Sequence, residues 1–256
     1  MHVDAELVLQ AFAVYLASAR RFRALRLFAT FDPPRREPIM GLLRTGLPIG
    51  VTVAMEGGLF IVTALLIGRL GAVPVAAHQI AINVAALCFM VPMGLAEATT
   101  VRVGHALGRG NALGVRRAAI AGYVLALGTQ SLSALLLLTG NDLVVALYTR
   151  DAAVATLAAS LLLYAAAFQF PDGIQVVSAG ALRGLGDTRV PMVLAGVAYW
   201  GVGMPLGAGL GLWLGWGPRG MWIGLIAGLS VAAFLLCRRF LRSSGRLRDG
   251  AMTSGA

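Results

Sequence analysis

The chain has 256 residues, of which 58% are hydrophobic and 12% are charged, and its mean hydropathy is +0.81. A soluble domain of this length could not cover so much apolar surface with polar side chains, so the composition excludes an ordinary soluble protein. A formal net charge of +10 is compatible with nucleic-acid binding, so the positions of the arginines in the sequence have to be considered.

The first 41 residues have an unusual order of apolar and basic segments. Residues 7–19 are apolar but short for a membrane span, and the basic segment RRFRALRLF follows them. A secretory signal peptide has its positive charges before the apolar run. We therefore interpret residues 1–30 as an interfacial helix or as the end of an earlier span, and residues 31–41 as a cytoplasmic linker.

Six apolar blocks follow, each close to or longer than the roughly 20 residues that cross a bilayer as a helix. They predict an all-α, polytopic membrane protein with a six-helix bundle over residues 42–240. The polar, Gly- and Ser-rich residues 241–256 are expected to form a disordered cytoplasmic tail. The blocks are residues 45–68, 75–98, 118–141, 152–182, 190–217 and 220–237.

The arginines indicate the orientation of the bundle. All 21 basic residues are arginine. Eighteen of them precede the first block, follow the sixth block, or lie in the connection between the second and third blocks or in that between the fourth and fifth. Only Arg69, Arg150 and Arg219 lie in the alternate connections. The positive-inside rule then places both ends of the six-span block in the cytoplasm. The charge thus reports membrane topology, and we expect the lipid bilayer, not nucleic acid, as the partner of the basic residues.

Glycines recur every fourth residue in the last two spans. The first series comprises Gly203, Gly207, Gly211 and Gly215, and the second comprises Gly220, Gly224 and Gly228. This spacing places each series on one helix face, where neighbouring backbones can approach closely. Packing within the bundle is the default interpretation, with a dimer interface as the alternative.

Two carboxylates lie within apolar spans. No other charge lies between residues 45 and 68 around Glu56, and Asp172 is the only charge between Asp151 and Arg183. A charge at the bilayer centre costs roughly 2.5–3.5 kcal/mol on insertion scales, so such residues face a cavity and serve a function. Glu56 and Asp172 therefore predict a polar cavity enclosed by helices, which is typical of a transport site.

Polar side chains accompany the two acids at helical spacing. They suggest a shared hydrated cavity, although hydrogen bonds between helices would explain them too. For Gln79 and Asn83 on the second span, the sequence supports the two interpretations equally. The candidates are Thr52 on the first span, Gln79 and Asn83 on the second, and Gln169 and Gln175 on the fourth.

Catalytic and cofactor motifs are missing from the sequence. GxSxG and HExxH do not occur, and Cys88 and Cys237 have no pairing pattern. We therefore expect a transporter and not an enzyme, without a cofactor.

Three stretches carry a family resemblance. LLRTGLPIGVTVAMEGGLF, GAVPVAAHQIAINVAALCFMVPMGLAEATTVRVGHALGRGN and FQFPDGIQVVSAGALRGLGDTRVPM resemble, in this order, the multidrug and toxic compound extrusion (MATE) transporters of the NorM-like branch. The resemblance runs from about residue 39 to residue 240. It implies the C-terminal six-helix lobe of a twelve-helix antiporter that exports organic cations in exchange for sodium ions or protons. It also makes residues 1–30 the remnant of the sixth helix, and a bacterial inner membrane the expected location.

The resemblance assigns roles to individual residues. Glu56 matches the acid of the family's seventh helix and Asp172 the acid of the tenth, which both belong to the cation site. Phe168 stands where the sodium site usually has a tyrosine, so a ring that can contact a cation replaces a hydroxyl oxygen.

Other interpretations of the same sequence are a lipid-linked oligosaccharide flippase of the same superfamily and a truncated, non-transporting fragment. Transport between two lobes needs an N-terminal lobe or a second copy as partner. We therefore expect the 256-residue chain alone to confer no drug resistance.

The predicted topology can be tested by cysteine labelling in intact cells. Single cysteines in residues 142–151 and 217–219 should react with an impermeant reagent added outside. Cysteines in residues 102–117 and after Arg238 should not, because the arginine-rich connections are expected in the cytoplasm. Labelling of the tail from outside would reverse the orientation.

Overall fold

The computed structural model describes residues 36–253, with side chains for residues 36–247. The chain divides into two compact units, Met1–Leu43 and Arg44–Ala256, and the packing discussed below lies within the second. The interpretations of residues 1–30, of residues 31–35 and of the last three residues fall outside the described part.

The described chain is helical. Six of its helices are long and apolar enough to cross a membrane, which confirms the predicted fold class and makes the chain an integral membrane protein. The helices are α1 (Arg36–Gly68), α2 (Ala72–Gly108), α3 (Ala112–Thr139), α4 (Asn141–Tyr148), α5 (Ala152–Gly184), α6 (Arg189–Trp213) and α7 (Pro218–Thr253).

The structure corrects three predicted boundaries. Helix α1 begins at Arg36, inside the predicted linker, and the short α4 occupies most of the predicted loop at residues 142–151. Helix α7 continues to Thr253, so the interpretation of residues 241–256 as a disordered tail is wrong for residues 241–253. The helix continues because one face still packs beyond residue 240: Phe240 and Ser244, four residues apart, are both buried.

Side-chain caps explain where two spans begin. Asn111 accepts a hydrogen bond from the amide of Gly114 at 2.7 Å, at the start of α3. Asp151 accepts bonds from the amides of Ala153 and Val154 at 2.8 and 3.0 Å, at the start of α5. These bonds satisfy donors that have no partner within the helix, so both starts are fixed locally by the sequence.

Helix α5 is the centre of the bundle and packs against α2, α3, α4 and α7. Its closest approach is to α2, where Cβ atoms added at Gly180 and Gly184 would meet the carbonyl oxygens of Ala96 and Thr100. The Thr100 hydroxyl donates to the Gly180 carbonyl at 2.9 Å. Two glycines spaced by four therefore hold α5 against α2.

The two predicted glycine series do pack against each other, between α6 and α7. Cβ atoms at Gly203 and Gly207 would contact the backbone of Gly228, Gly224 and Met221. Gly215, the last of the first series, lies beyond the end of α6 with a φ of +73°, which a glycine adopts easily. Helix α6 contains two π-helical segments, Val197–Gly203 and Gly209–Trp213, on either side of Met204–Ala208.

The glycine contact predicts a position-specific loss of stability. A Cβ at Gly224 would contact the Gly207 backbone, whereas one at Gly209 would meet nothing within 4 Å. Gly224→Ala should therefore lower the free energy of unfolding by about 1–3 kcal/mol, because the two helices must move apart. Gly209→Ala, on the open face of α6, should change it little. Thermal unfolding of both variants in detergent is the measurement, and equal effects would contradict the proposed contact.

Candidate functional site

Glu56 and Asp172 come together from two helices that are distant in sequence. Glu56 lies in the middle of α1 and is partly buried, while Asp172 lies in α5 and is only 4% exposed. Both line one chamber of about 180 Å³. Pro171 directly precedes Asp172 and has no backbone donor, so the helix lacks one of its hydrogen bonds beside the acid.

The chamber has no polar lining apart from the two carboxylates. Among the residues described, neither acid makes a hydrogen bond or an ion pair. Two carboxylates held in apolar surroundings bind a proton or a cation readily. The other lining residues are Phe60, Ile82, Ala85, Ala86, Phe89 and Phe168.

Glu56 also lines a second, larger cavity of about 500 Å³. Residues of α1, α2 and α5 form its walls, with Thr188 and Pro191 at the start of α6. Phe60 and Phe89 line both spaces. The volume lies in the range of small-molecule pockets, and a mostly apolar wall with a few polar groups is typical of them.

An ion pair lies in the wall of the larger cavity. The carboxylate of Glu97 on α2 contacts the guanidinium of Arg183 on α5 at 2.8 Å. The Glu97 side chain is 59% exposed and that of Arg183 is 25% exposed. This pair, in which both charges belong to the cavity wall, was not predicted from the sequence.

A series of edge-to-face aromatic contacts runs from the chamber into the bundle. Phe168 lies 6.1 Å from Phe60 and 5.7 Å from Trp222, measured between ring centroids. Trp222 in turn lies 5.9 Å from His78. His78 is buried, and its Nδ1 has no hydrogen-bond partner among the described residues.

The two predicted glutamines of α5 lie in different environments. Gln175 lines the larger cavity, and its Nε2 donates to the hydroxyl of Tyr199 at 2.7 Å. Gln169 is buried but lines neither space, and its main-chain carbonyl accepts a hydrogen bond from Nε2 of Gln130 at 3.1 Å. Sequence reasoning missed Gln130 and Tyr199, although each is a polar group inside an apolar span.

Of the predicted polar candidates on α1 and α2, only the one on α1 lines a cavity. Thr52 lines the larger cavity, and its hydroxyl donates to the Pro48 carbonyl at 2.8 Å. Gln79 and Asn83 are exposed and line neither space, and Asn83 accepts a bond from the Tyr148 hydroxyl at 3.1 Å. The structure thus gives no support to the predicted cavity role of Gln79 and Asn83, because neither side chain is part of either wall.

The described residues contain no group of three or more histidine, cysteine, aspartate or glutamate side chains that could hold a metal ion. A sodium ion in the chamber would have the two carboxylates as its side-chain ligands within this part of the chain.

Several curated proteins are similar to this chain. It is 70% identical over 241 residues to the "Probable multidrug resistance protein NorM" of Xanthomonas campestris pv. campestris, covering 94% of the chain and 53% of that relative. It is 48% identical over 237 residues to "Multidrug resistance protein PmpM" of Pseudomonas aeruginosa, covering 91% and 50%. The chain thus spans about half the length of the curated relatives that it matches.

Solved structures support the fold independently. A "MATE in the straight conformation" has a TM-score of 0.82 at 20% identity, covering 95% of this chain and 55% of that one. An outward-facing "multidrug resistance MATE family transporter of the MOP superfamily" has a TM-score of 0.76 at 22% identity, covering 88% and 50%. The chain has the fold of one half of these proteins.

The family model described as MatE matches residues 48–208, which include Glu56, Asp172 and all the residues that line the chamber and the larger cavity. The resemblance inferred from the three sequence stretches is therefore confirmed, and the chain belongs to the MatE family.

Proposed function

We propose that this chain forms the lobe that carries the coupling acids of a multidrug efflux antiporter. The transporter exports organic cations in exchange for protons or sodium ions. One observation supports this most strongly: Glu56 and Asp172, from α1 and α5, line the same small chamber inside a membrane-spanning bundle. The names of the relatives, which are multidrug resistance proteins, point to the same activity.

Glu56 connects the coupling ion with the substrate. Its side chain lines both the chamber and the larger cavity. An organic cation in the larger cavity and a proton or sodium ion in the chamber therefore compete for one carboxylate. Competition of this kind couples export of the substrate to import of the ion, when the site opens alternately to the two sides.

The larger cavity suits varied lipophilic cations. Phe60, Phe89 and Met93 supply aromatic and polarisable surface, on which flat or bulky apolar groups can pack. Glu56 supplies the negative charge, and a cation over an aromatic face gains further attraction. A wall with few directional polar groups discriminates little between substrates of similar charge, which fits a multidrug transporter.

The chamber favours a proton over a sodium ion as the coupling ion. Hard cations bind through several oxygen ligands at once, while a proton needs one carboxylate oxygen. Besides the two acids, the chamber wall is aliphatic and aromatic, and Phe168 offers no hydroxyl.

Alternating access requires a second half, which we assign to an N-terminal lobe or a second copy of the chain. In this arrangement the arginine-rich end faces the cytoplasm of the bacterial inner membrane. An oligosaccharide flippase is not favoured, because the curated relatives named above are multidrug resistance proteins.

The role of the acids can be tested in a two-lobe transporter that contains this chain as its C-terminal lobe. Asp172→Asn and Glu56→Gln should each lower efflux of a cationic dye at least about tenfold, because the coupling ion loses a carboxylate. Asp142→Asn makes the same chemical change in α4, outside both cavities. It should leave efflux unchanged. Membrane abundance is measured for all three variants, and normal efflux in both Asp172→Asn and Glu56→Gln would refute the proposed site.

The coupling ion can be identified by imposing either a proton gradient or a sodium gradient on proteoliposomes that contain the same transporter. An inwardly directed proton gradient without sodium should drive dye transport, since a carboxylate alone can carry the proton. A sodium gradient at equal pH on both sides should not. Transport driven only by sodium would show that oxygen ligands from outside the described residues complete the site, and would reject proton coupling.

A further inference from the structure

A third concave site lies between α2 and α3, apart from the acids. It is a cleft of about 360 Å³ at the arginine-rich end of the bundle, and none of its lining residues lines the chamber or the larger cavity. Its basic residues are Arg102, Arg109 and Arg117. We call it the arginine cleft.

The positive charge of the arginine cleft is not neutralised by the protein. Within the described residues, none of its three arginines takes part in an ion pair or a side-chain hydrogen bond, and no acidic residue lines the cleft. Arg183 and Arg239, in contrast, are paired with Glu97 and Asp187 at 2.8 Å. Three unpaired guanidinium groups around one cleft repel one another, and an anion bound there would relieve that repulsion.

Apart from Thr99, the rest of the wall consists of alanine, glycine and leucine residues. Gly122 allows α3 to approach α2 closely, since a Cβ there would contact the Thr99 hydroxyl. The cleft therefore joins three guanidinium groups to an apolar surface on the outer side of the bundle. The remaining lining residues include Leu95, Ala98, Ala118, Ala121 and Leu125, of which Ala98, Ala121 and Leu125 are exposed.

We propose that the arginine cleft binds an anionic phospholipid. The phosphate accepts charge-assisted hydrogen bonds from Arg102, Arg109 and Arg117, and an acyl chain lies along Ala121 and Leu125. A free phosphate would use the arginines alone and would gain nothing from the apolar surface. The combination of the two surfaces in one cleft is what favours a lipid over an inorganic anion. This inference does not depend on the proposed transport function.

Native mass spectrometry of the 256-residue chain in detergent can measure lipid binding directly. Phosphatidylglycerol should bind and survive delipidation better than phosphatidylcholine, which has no net charge. Replacing Arg102, Arg109 and Arg117 together by Gln should weaken phosphatidylglycerol binding by about tenfold or more.

The matched control removes the same charge from the same end of the bundle. Arg238, Arg242 and Arg246 on α7 are exposed, line none of the cavities and have no ion pair among the described residues. Replacing these three by Gln should leave most of the binding intact. An equal loss in both triple variants would show general attraction to a basic surface and would overturn the proposal.

A second variant separates a lipid from a free phosphate without altering charge. Ala121→Trp fills the apolar part of the cleft, next to intact arginines. It should weaken phosphatidylglycerol binding about tenfold while any binding of inorganic phosphate is unchanged. Undiminished lipid binding in Ala121→Trp, or phosphate binding as tight as lipid binding in the unaltered chain, would reject a phospholipid as the ligand.

Discussion

The rest of the structure depends on close contact between helix backbones at glycine. In a bilayer the hydrophobic effect does not press helices together, because lipid tails are as apolar as leucine, so association relies on dense packing. Gly203 and Gly207 of α6 meet Gly224 and Gly228 of α7, and Gly180 and Gly184 join α5 to α2. The contact of Gly180 and Gly184 with the α2 backbone fixes α5 in the centre of the bundle. With α5 fixed, Asp172 is held inside the protein, away from lipid, where a carboxylate can be tolerated.

The site combines a stable scaffold with groups that have few partners of their own. Phe168 is held by edge-to-face contacts with Phe60 and Trp222, so the aromatic wall of the chamber is packed on both sides. The carboxylates opposite that wall have no hydrogen bond among the described residues. Preorganised walls and unpartnered acids are what an exchange site needs, because a carboxylate that already had a strong protein partner would gain less from binding an ion.

The sequence predicted the spans well because the constraint that creates them is local: a bilayer requires about 20 consecutive apolar residues, and that can be read directly. It did not predict α4, whose eight residues are too short for that pattern. The helix beyond residue 240 was missed because burial of Ser244 depends on neighbours distant in sequence.

The site residues that the sequence predicted are those whose charge is energetically unfavourable in a membrane span. Residues whose role depends on a neighbour distant in sequence could not be predicted. Glu56 and Asp172 stand out in apolar spans, and the structure places them in one chamber. Helical spacing correctly grouped Gln79 with Asn83 but could not say which way their face of α2 points. Gln130 and the Arg183–Glu97 pair were missed because their partners lie 39 and 86 residues away, on other helices.

Helix α5 connects the two ends of the candidate site mechanically. Asp172 and Arg183 are eleven residues apart on it, which corresponds to about three turns and about 16 Å, so both side chains point to the same side of the helix. Asp172 lies beside the Pro171 interruption, and Arg183 contacts Glu97 on α2 at 2.8 Å. Gly180 and Gly184, on either side of Arg183 in the sequence, pack against the α2 backbone at this end of α5. A tilt of α5 by ten degrees about Asp172 would displace Arg183 by about 3 Å, and it would have to break both the glycine contact and the ion pair. Helices α5 and α2 are thus joined at this end by backbone packing and by charge, so the wall of the larger cavity that they share keeps its shape.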